Sequence, residues 1–118
     1  MQAIDRVFGV LLAVGAILHG IGTWAAFHAQ PVSLLWAWSA SFAVLLLAAI
    51  NLLRTARPGD AALAWICFAG CATWIGFCLW LGALIHNFLD FRPLTHIILA
   101  TALAVFSVRA ATRRPRQA

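Results

Sequence analysis

Four long apolar runs, separated by short polar stretches, dominate the pattern of hydrophobic and polar positions along the chain. They cover these residue ranges: about 7–27, 34–53, 61–86 and 90–110. Because about 20 helical residues cross the hydrocarbon core of a bilayer, the pattern predicts four transmembrane helices. The fourth run reaches that length only if its helix begins near Leu89 or continues into Ala110. We therefore expect an all-α integral membrane protein, a four-helix bundle in one membrane domain over residues 1–118.

Composition supports this fold class. Hydrophobic residues make up 64% of the 118 residues and charged residues only 9%, which is far from the composition of soluble domains. The first run is longer than the apolar core of a secretory signal, about 7 to 15 residues, so we expect it to be a retained span. Membrane lipid is therefore the first predicted partner.

The arginines indicate an orientation. All of them except Arg92 lie at the end of the spans that holds both termini and the middle loop: Arg6, Arg54, Arg57, Arg109, Arg113, Arg114 and Arg116. By the positive-inside rule, both termini are expected in the cytoplasm. This bias accounts for the basic tail, so no nucleic-acid partner is predicted. The use of Arg without Lys, together with abundant Ala, is typical of a bacterial protein, and we expect the bacterial inner membrane.

The second and fourth runs resemble each other at a constant offset. The stretch QPVSLLWAWSASFAVLLL from Gln30 aligns with RPLTHIILATALAVFSVR from Arg92, with Pro31 opposite Pro93. The chain would then be two tandem helical hairpins in a parallel repeat, related by an axis along the membrane normal. The alternative, that two apolar helices preceded by Pro align this well by chance, stays open.

Each of the first three spans has one face of small or polar residues, which we expect to turn toward neighbouring helices because small residues allow close packing in lipid. In the first span this face contains Gly15, Ala16, His19, Gly22, Thr23 and Ala26, opposite a bulky face of Val10, Val14, Ile17, Ile21 and Trp24. In the second span it contains Ala37, Ser41, Ala48 and Asn51. In the third it contains Ala69, Ala72, Gly76 and Ala83, followed by His86 or Asn87.

The histidines are the main candidate site residues, since ionisable groups within membrane spans often mark function. His86 and His96 could be axial ligands of haem b, with His19 as a deeper alternative. A divalent metal ion could instead bind His28, His86, Asp90 and His96, with Asp90 one helical turn after His86. The plainer alternative is that His19 hydrogen-bonds to a backbone carbonyl, Thr23 or Asn51, and that the others are interfacial side chains.

Cysteines and tryptophans give weaker signals. Cys67, Cys71 and Cys78 share a face of the third span, where they could hold a soft metal such as Cu(I) or simply pack as small hydrophobic residues. Trp24, Trp36 and Trp38 are expected in an interfacial aromatic belt. Trp74 and Trp80 lie deeper and could face lipid, contact a partner, or line a groove for a quinone, pigment or lipid.

No nucleophile with a base, phosphate-binding loop or redox CxxC motif is present in the sequence, so no catalytic activity is expected. Our first hypothesis is an accessory or scaffolding subunit that packs against another membrane protein or forms a homo-oligomer. The alternative is a carrier of haem b, a transition metal or a quinone that uses the outer histidines, and a further one is a small transporter. Length and span number resemble those of the small multidrug-resistance transporters, but the embedded Glu of that family has no counterpart here.

Overall fold

The computed structural model describes residues 2–112. Over these residues the protein has four helices and no strand: α1 Gln2–Phe27, α2 Pro31–Ala56, α3 Ala61–Leu84 and α4 Phe91–Thr112. All four are long and apolar enough to cross a membrane, which confirms the predicted number of candidate spans. Arg113, Arg114 and Arg116 of the basic tail lie outside the described residues.

The helices form a bundle of two closely packed hairpins. Helix α1 packs along α2 and α3 packs along α4, while α1–α4 and α2–α3 contacts join the hairpins into a ring of four. Short connections make consecutive helices antiparallel. The start of α1, the α2–α3 connection and the end of α4 therefore share one end, called here the terminal end. The α1–α2 and α3–α4 connections share the opposite end, called here the hairpin end.

Small side chains let the helices approach closely at the centre of the bundle. Ala16, Ala48 and Ala100 are buried there beside larger residues such as Leu12 and Leu103. The bulky face of α1, predicted to meet lipid, is exposed along its whole length. Helices in lipid associate through close contacts of this kind, because apolar side chains gain little there by burial. The predicted inward face of α2 is confirmed by its buried Ala48 and Asn51.

The prediction for α3 was wrong about which face turns inward. Ala69, Ala72, Gly76 and Ala83 are all exposed, whereas Cys67, Cys71 and Cys78 are buried. The inward face is also made of small residues, because Ala64 and Gly82 are buried beside the cysteines, and it packs closely on α4. It carries two polar contacts to α2 as well. The Cys67 thiol donates to the Ile50 carbonyl oxygen at 3.4 Å, and Cys71 Sγ accepts from Asn51 Nδ2 at 3.6 Å. An alanine or glycine face has no side-chain polar group to satisfy and can meet lipid without cost.

The α3–α4 connection also differs from the expected one. Helix α3 ends at Leu84, before His86, whose positive φ of 52° turns the chain. Asp90 is therefore not one turn after His86 on a continuous helix. It precedes α4 instead, where its carboxylate accepts from the backbone N–H of Arg92 at 3.0 Å. Helices α1 and α2 are longer than their predicted spans: α1 begins at Gln2 rather than near Val7, and α2 covers Pro31–Ala56 rather than 34–53.

Candidate functional site

A groove between α1 and α4, in the half of the bundle nearest the hairpin end, has a volume of about 360 Å³. This volume falls within the range of about 300–1,000 Å³ that is usual for small-molecule sites. Most of its wall is apolar, with His19, His96 and Arg92 as its basic side chains. The lining residues are Gly15, Leu18, His19, Gly22, Thr23, Ala26, Phe27, Phe91, Arg92, Thr95 and His96.

The small-residue face of α1 shapes this groove. Near the middle of α1 the face packs inward, since Ala16 is buried, but toward the hairpin end Gly22 and Ala26 are exposed and line the groove. A Cβ atom placed on Gly22 would meet nothing within 4 Å. The absence of side-chain bulk at these positions therefore leaves a space that opens to the surroundings of the bundle.

His19 lies in the groove wall and is held by α2. Its Nδ1 is 2.7 Å from Ser41 Oγ, and that hydroxyl donates to the Ala37 carbonyl oxygen at 3.1 Å. When the single hydroxyl hydrogen of Ser41 is engaged with Ala37, Ser41 accepts from His19, and the proton of neutral His19 is on Nδ1. The lone pair of His19 is then on Nε2. The sequence placed His19 inside the bundle correctly, but its side-chain partner is Ser41, neither Thr23 nor Asn51.

His96 lies on α4 beside His19 and is only 8% exposed. The two imidazole rings are edge to face, with centroids 6.2 Å apart. Within residues 2–112, the buried His96 Nδ1 atom has no hydrogen-bond partner, and neither has Nε1 of Trp74, whose ring centroid is 5.9 Å from that of His96. The His96 Nε2 atom faces α1, 3.5 Å from the position that a Cβ would take on Gly15. His96 therefore has one ring nitrogen, Nδ1, buried in the bundle, and the other, Nε2, on the side of the groove.

The other predicted ligands do not join this pair. His28 and His86 are exposed in or near the two hairpin connections, and His28 Nδ1 is 3.2 Å from the Trp24 carbonyl oxygen. Among residues 2–112, no group of three or more His, Cys, Asp or Glu side chains could hold a metal ion. The structure thus places His19 next to His96. It does not bring His28, His86 and Asp90 together with His96 as ligands of one metal ion.

An ion pair lies at the rim of the groove. Arg92 donates to the Asp90 carboxylate through Nε at 2.9 Å and through Nη2 at 2.7 Å, and the Arg92 side chain is 66% exposed. Side-chain and backbone hydrogen bonds from Arg92 lower the pKa of Asp90 to about 2. The guanidinium is thus already paired with a carboxylate, which reduces its availability for an anionic ligand.

A second polar cluster, which the sequence analysis missed, lies near the terminal end. Arg54 donates to both carboxylate oxygens of Asp5 at 2.9 and 2.7 Å, and the Arg54 side chain is only 3% exposed. Asn51 Oδ1 accepts from Arg54 Nη2 at 3.4 Å, and the Ser107 hydroxyl oxygen lies 3.4 Å from Asn51 Oδ1 and 2.8 Å from the Leu103 carbonyl oxygen. Three helices are therefore joined by one buried network. An acidic and a basic residue at neighbouring span ends were the only sequence signal for it.

Comparison with known proteins adds no identification, because no protein-family model matches the chain and neither a curated protein nor a solved structure is significantly similar to it.

Proposed function

We propose that this protein binds a small, membrane-soluble organic molecule in the groove between α1 and α4. The observation that carries the proposal is the combination of an apolar space of about 360 Å³ with two imidazoles in its wall. Sites for small molecules are mostly apolar with a few polar groups that fix the orientation of the ligand. The α1–α4 groove has this character, and it lies along the surface from which a lipid-soluble molecule would enter.

An organic ligand fits these residues better than a metal ion does. A metal ion in a protein usually has three or four protein ligands, whereas His19 and His96 supply two. Among the predicted cargoes, a quinone therefore takes precedence over a transition metal. Haem b stays a prediction, which an absorption spectrum of the pure protein, recorded with and without dithionite, would test.

An accessory role in a larger complex or a homo-oligomer stays a prediction. The exposed apolar faces do not favour it over a monomer, because contact with lipid alone would account for them. A small proton-coupled transporter is also a prediction, and loss of flux in His19→Ala vesicles would support it. The parallel relation of the two hairpins is a further untested prediction.

The proposal includes a location in the bacterial inner membrane with both termini in the cytoplasm. Its support is the arginine bias, since Arg6, Arg54, Arg57 and Arg109 lie toward the terminal end and Arg92 lies at the hairpin end. Reporter fusions at the C-terminus and in the α3–α4 connection test this. Cytoplasmic activity is expected for the first and external activity for the second, and the reverse pattern would refute the orientation.

Ligand binding is tested with a groove-filling substitution. Gly22→Leu adds a side chain into the groove, whereas Gly76→Leu adds the same side chain on an exposed part of α3, and neither added Cβ meets an atom within 4 Å. Binding of a radiolabelled long-chain alkylphenol to the full chain in detergent micelles is measured by equilibrium dialysis. We expect Gly22→Leu to weaken binding at least tenfold and Gly76→Leu to leave it unchanged. Equal binding by both variants would refute the groove as the site.

A further inference from the structure

The two groove histidines differ in the hydrogen bonds that they can offer to a ligand. We assign the Ser41 hydroxyl hydrogen to the Ala37 carbonyl oxygen, so that His19 donates through Nδ1 to Ser41 and its Nε2 presents a lone pair. A neutral imidazole cannot donate from both nitrogens. His19 is therefore a hydrogen-bond acceptor toward the groove.

His96 has the opposite character. If its proton were on Nδ1, two buried donors, His96 Nδ1–H and Trp74 Nε1–H, would lie in neighbouring rings without an acceptor. Buried N–H groups without a partner are rare and costly. With the proton on Nε2, His96 Nδ1 is an acceptor and only the Trp74 indole N–H is a buried donor. This tautomer leaves fewer buried donors without an acceptor and therefore costs less free energy. His96 then donates through Nε2 on the side that faces Gly15 and the groove.

From this arrangement we infer that the ligand is a neutral lipid with a hydroxyl headgroup. This inference rests on the proposed binding function and names the ligand class. A hydroxyl group donates one hydrogen bond, to His19 Nε2, and accepts another, from His96 Nε2. A ketone could satisfy only His96, and an ammonium group only His19. The apolar groove walls of Leu18, Phe27 and Phe91 would hold the hydrocarbon part of the lipid.

Two sources supply such a headgroup, a phenol as in a reduced quinone and an aliphatic alcohol as in an isoprenoid. Binding to the full chain in micelles is therefore compared for two matched pairs: a long-chain alkylphenol with its methyl ether, and farnesol with its methyl ether. Each ether keeps an oxygen acceptor but has lost the donor. We expect the hydroxyl form of the preferred pair to bind about tenfold more tightly than its methyl ether. The ether cannot donate to His19 Nε2, so it loses one hydrogen bond and leaves that acceptor unsatisfied. The pair with the larger ratio identifies the source.

His19→Phe tests the residue that accepts the hydroxyl proton. We expect the hydroxyl-to-ether ratio to fall to about one in this variant, whereas His28→Phe, the same change at an exposed histidine outside the groove, keeps the ratio. The ¹⁵N spectrum of histidine-labelled wild-type protein gives an independent readout. We expect a protonated Nδ1 on His19 and a protonated Nε2 on His96, with the His19 assignment lost in Ser41→Ala.

The outcomes separate the two proposals. If ether and hydroxyl forms bind equally and Gly22→Leu weakens both, the groove binds ligand but the hydroxyl inference is overturned. The same holds if the ¹⁵N spectrum shows a protonated Nε2 on His19. If no probe binds in a manner that depends on Gly22, the proposed function itself fails, and the inference fails with it.

Discussion

The buried ion pair between Asp5 and Arg54 gives the sharpest stability prediction. Asp5→Asn removes the charge that compensates the Arg54 guanidinium, whose side chain is 3% exposed and whose Nε has no hydrogen-bond partner in the described part of the chain. Each charge-assisted hydrogen bond contributes about 1.5–3 kcal/mol, so the two bonds to Asp5 together amount to about 3–6 kcal/mol. Measured losses on breaking a buried pair are about 3–5 kcal/mol, and we expect Asp5→Asn to destabilise the bundle by that amount.

Reversible unfolding in mixed dodecyl sulfate and maltoside micelles, followed by circular dichroism, measures this free energy. Arg54→Met should recover part of the loss in the Asp5→Asn background, because it removes the uncompensated charge, with a coupling of about 2–3 kcal/mol in the double-mutant cycle. Asp90→Asn is the matched control, since it breaks an exposed pair, and its effect should be much smaller. Equal destabilisation by Asp5→Asn and Asp90→Asn, or additive effects of the two network substitutions, would refute the reasoning.

Two further predictions concern glycine packing and the rim ion pair. Gly70→Ala should be less stable than Gly76→Ala by about 1 kcal/mol in the same unfolding assay, because both gain helix propensity but the Cβ at Gly70 would lie 2.8 Å from Leu47 Cδ1, which must shift, whereas a Cβ at Gly76 meets no atom within 4 Å. Equal stabilities would contradict the assigned packing. Asp90 should titrate with a midpoint near its pKa of about 2 in a ¹³C carboxyl NMR experiment. Because the fold lowers this pKa, the ion pair with Arg92 adds a small amount to the free energy of unfolding above the ordinary carboxyl pKa, and this amount is lost as the pH falls through about 2. A midpoint at the ordinary value would show that the pair does not form in solution.

The number of helices and the lipid face of α1 could be predicted from the sequence because length and bulk are local properties. The face of α3 could not. Both of its faces are apolar, and in lipid an apolar side chain gains little by burial, so hydrophobic contrast does not choose between them. The buried face is the one that packs on α4 and carries the Cys67 and Cys71 contacts to α2, and these contacts exist only once both helices are in place.

The candidate site also has one part that the sequence predicted and another that depends on helix packing. His19 was predicted to point inward from its small neighbours on α1, and it does line the groove. Its pairing with His96 depends on the contact of α1 with α4, while His86, an equally plausible ligand in the sequence, lies beyond the end of α3. The buried Asp5–Arg54 pair joins residues 49 positions apart, and no local pattern specifies that separation.

The sequence by itself determined that this protein has four apolar helices, short connections and very few polar side chains, because hydropathy and length depend on each segment alone. Tertiary structure decided which of those polar side chains meet, since a hydrogen bond requires two groups about 3 Å apart and their separation depends on how the helices pack. The pairing of His96 with His19, and the groove that they share, therefore belong to the assembled bundle.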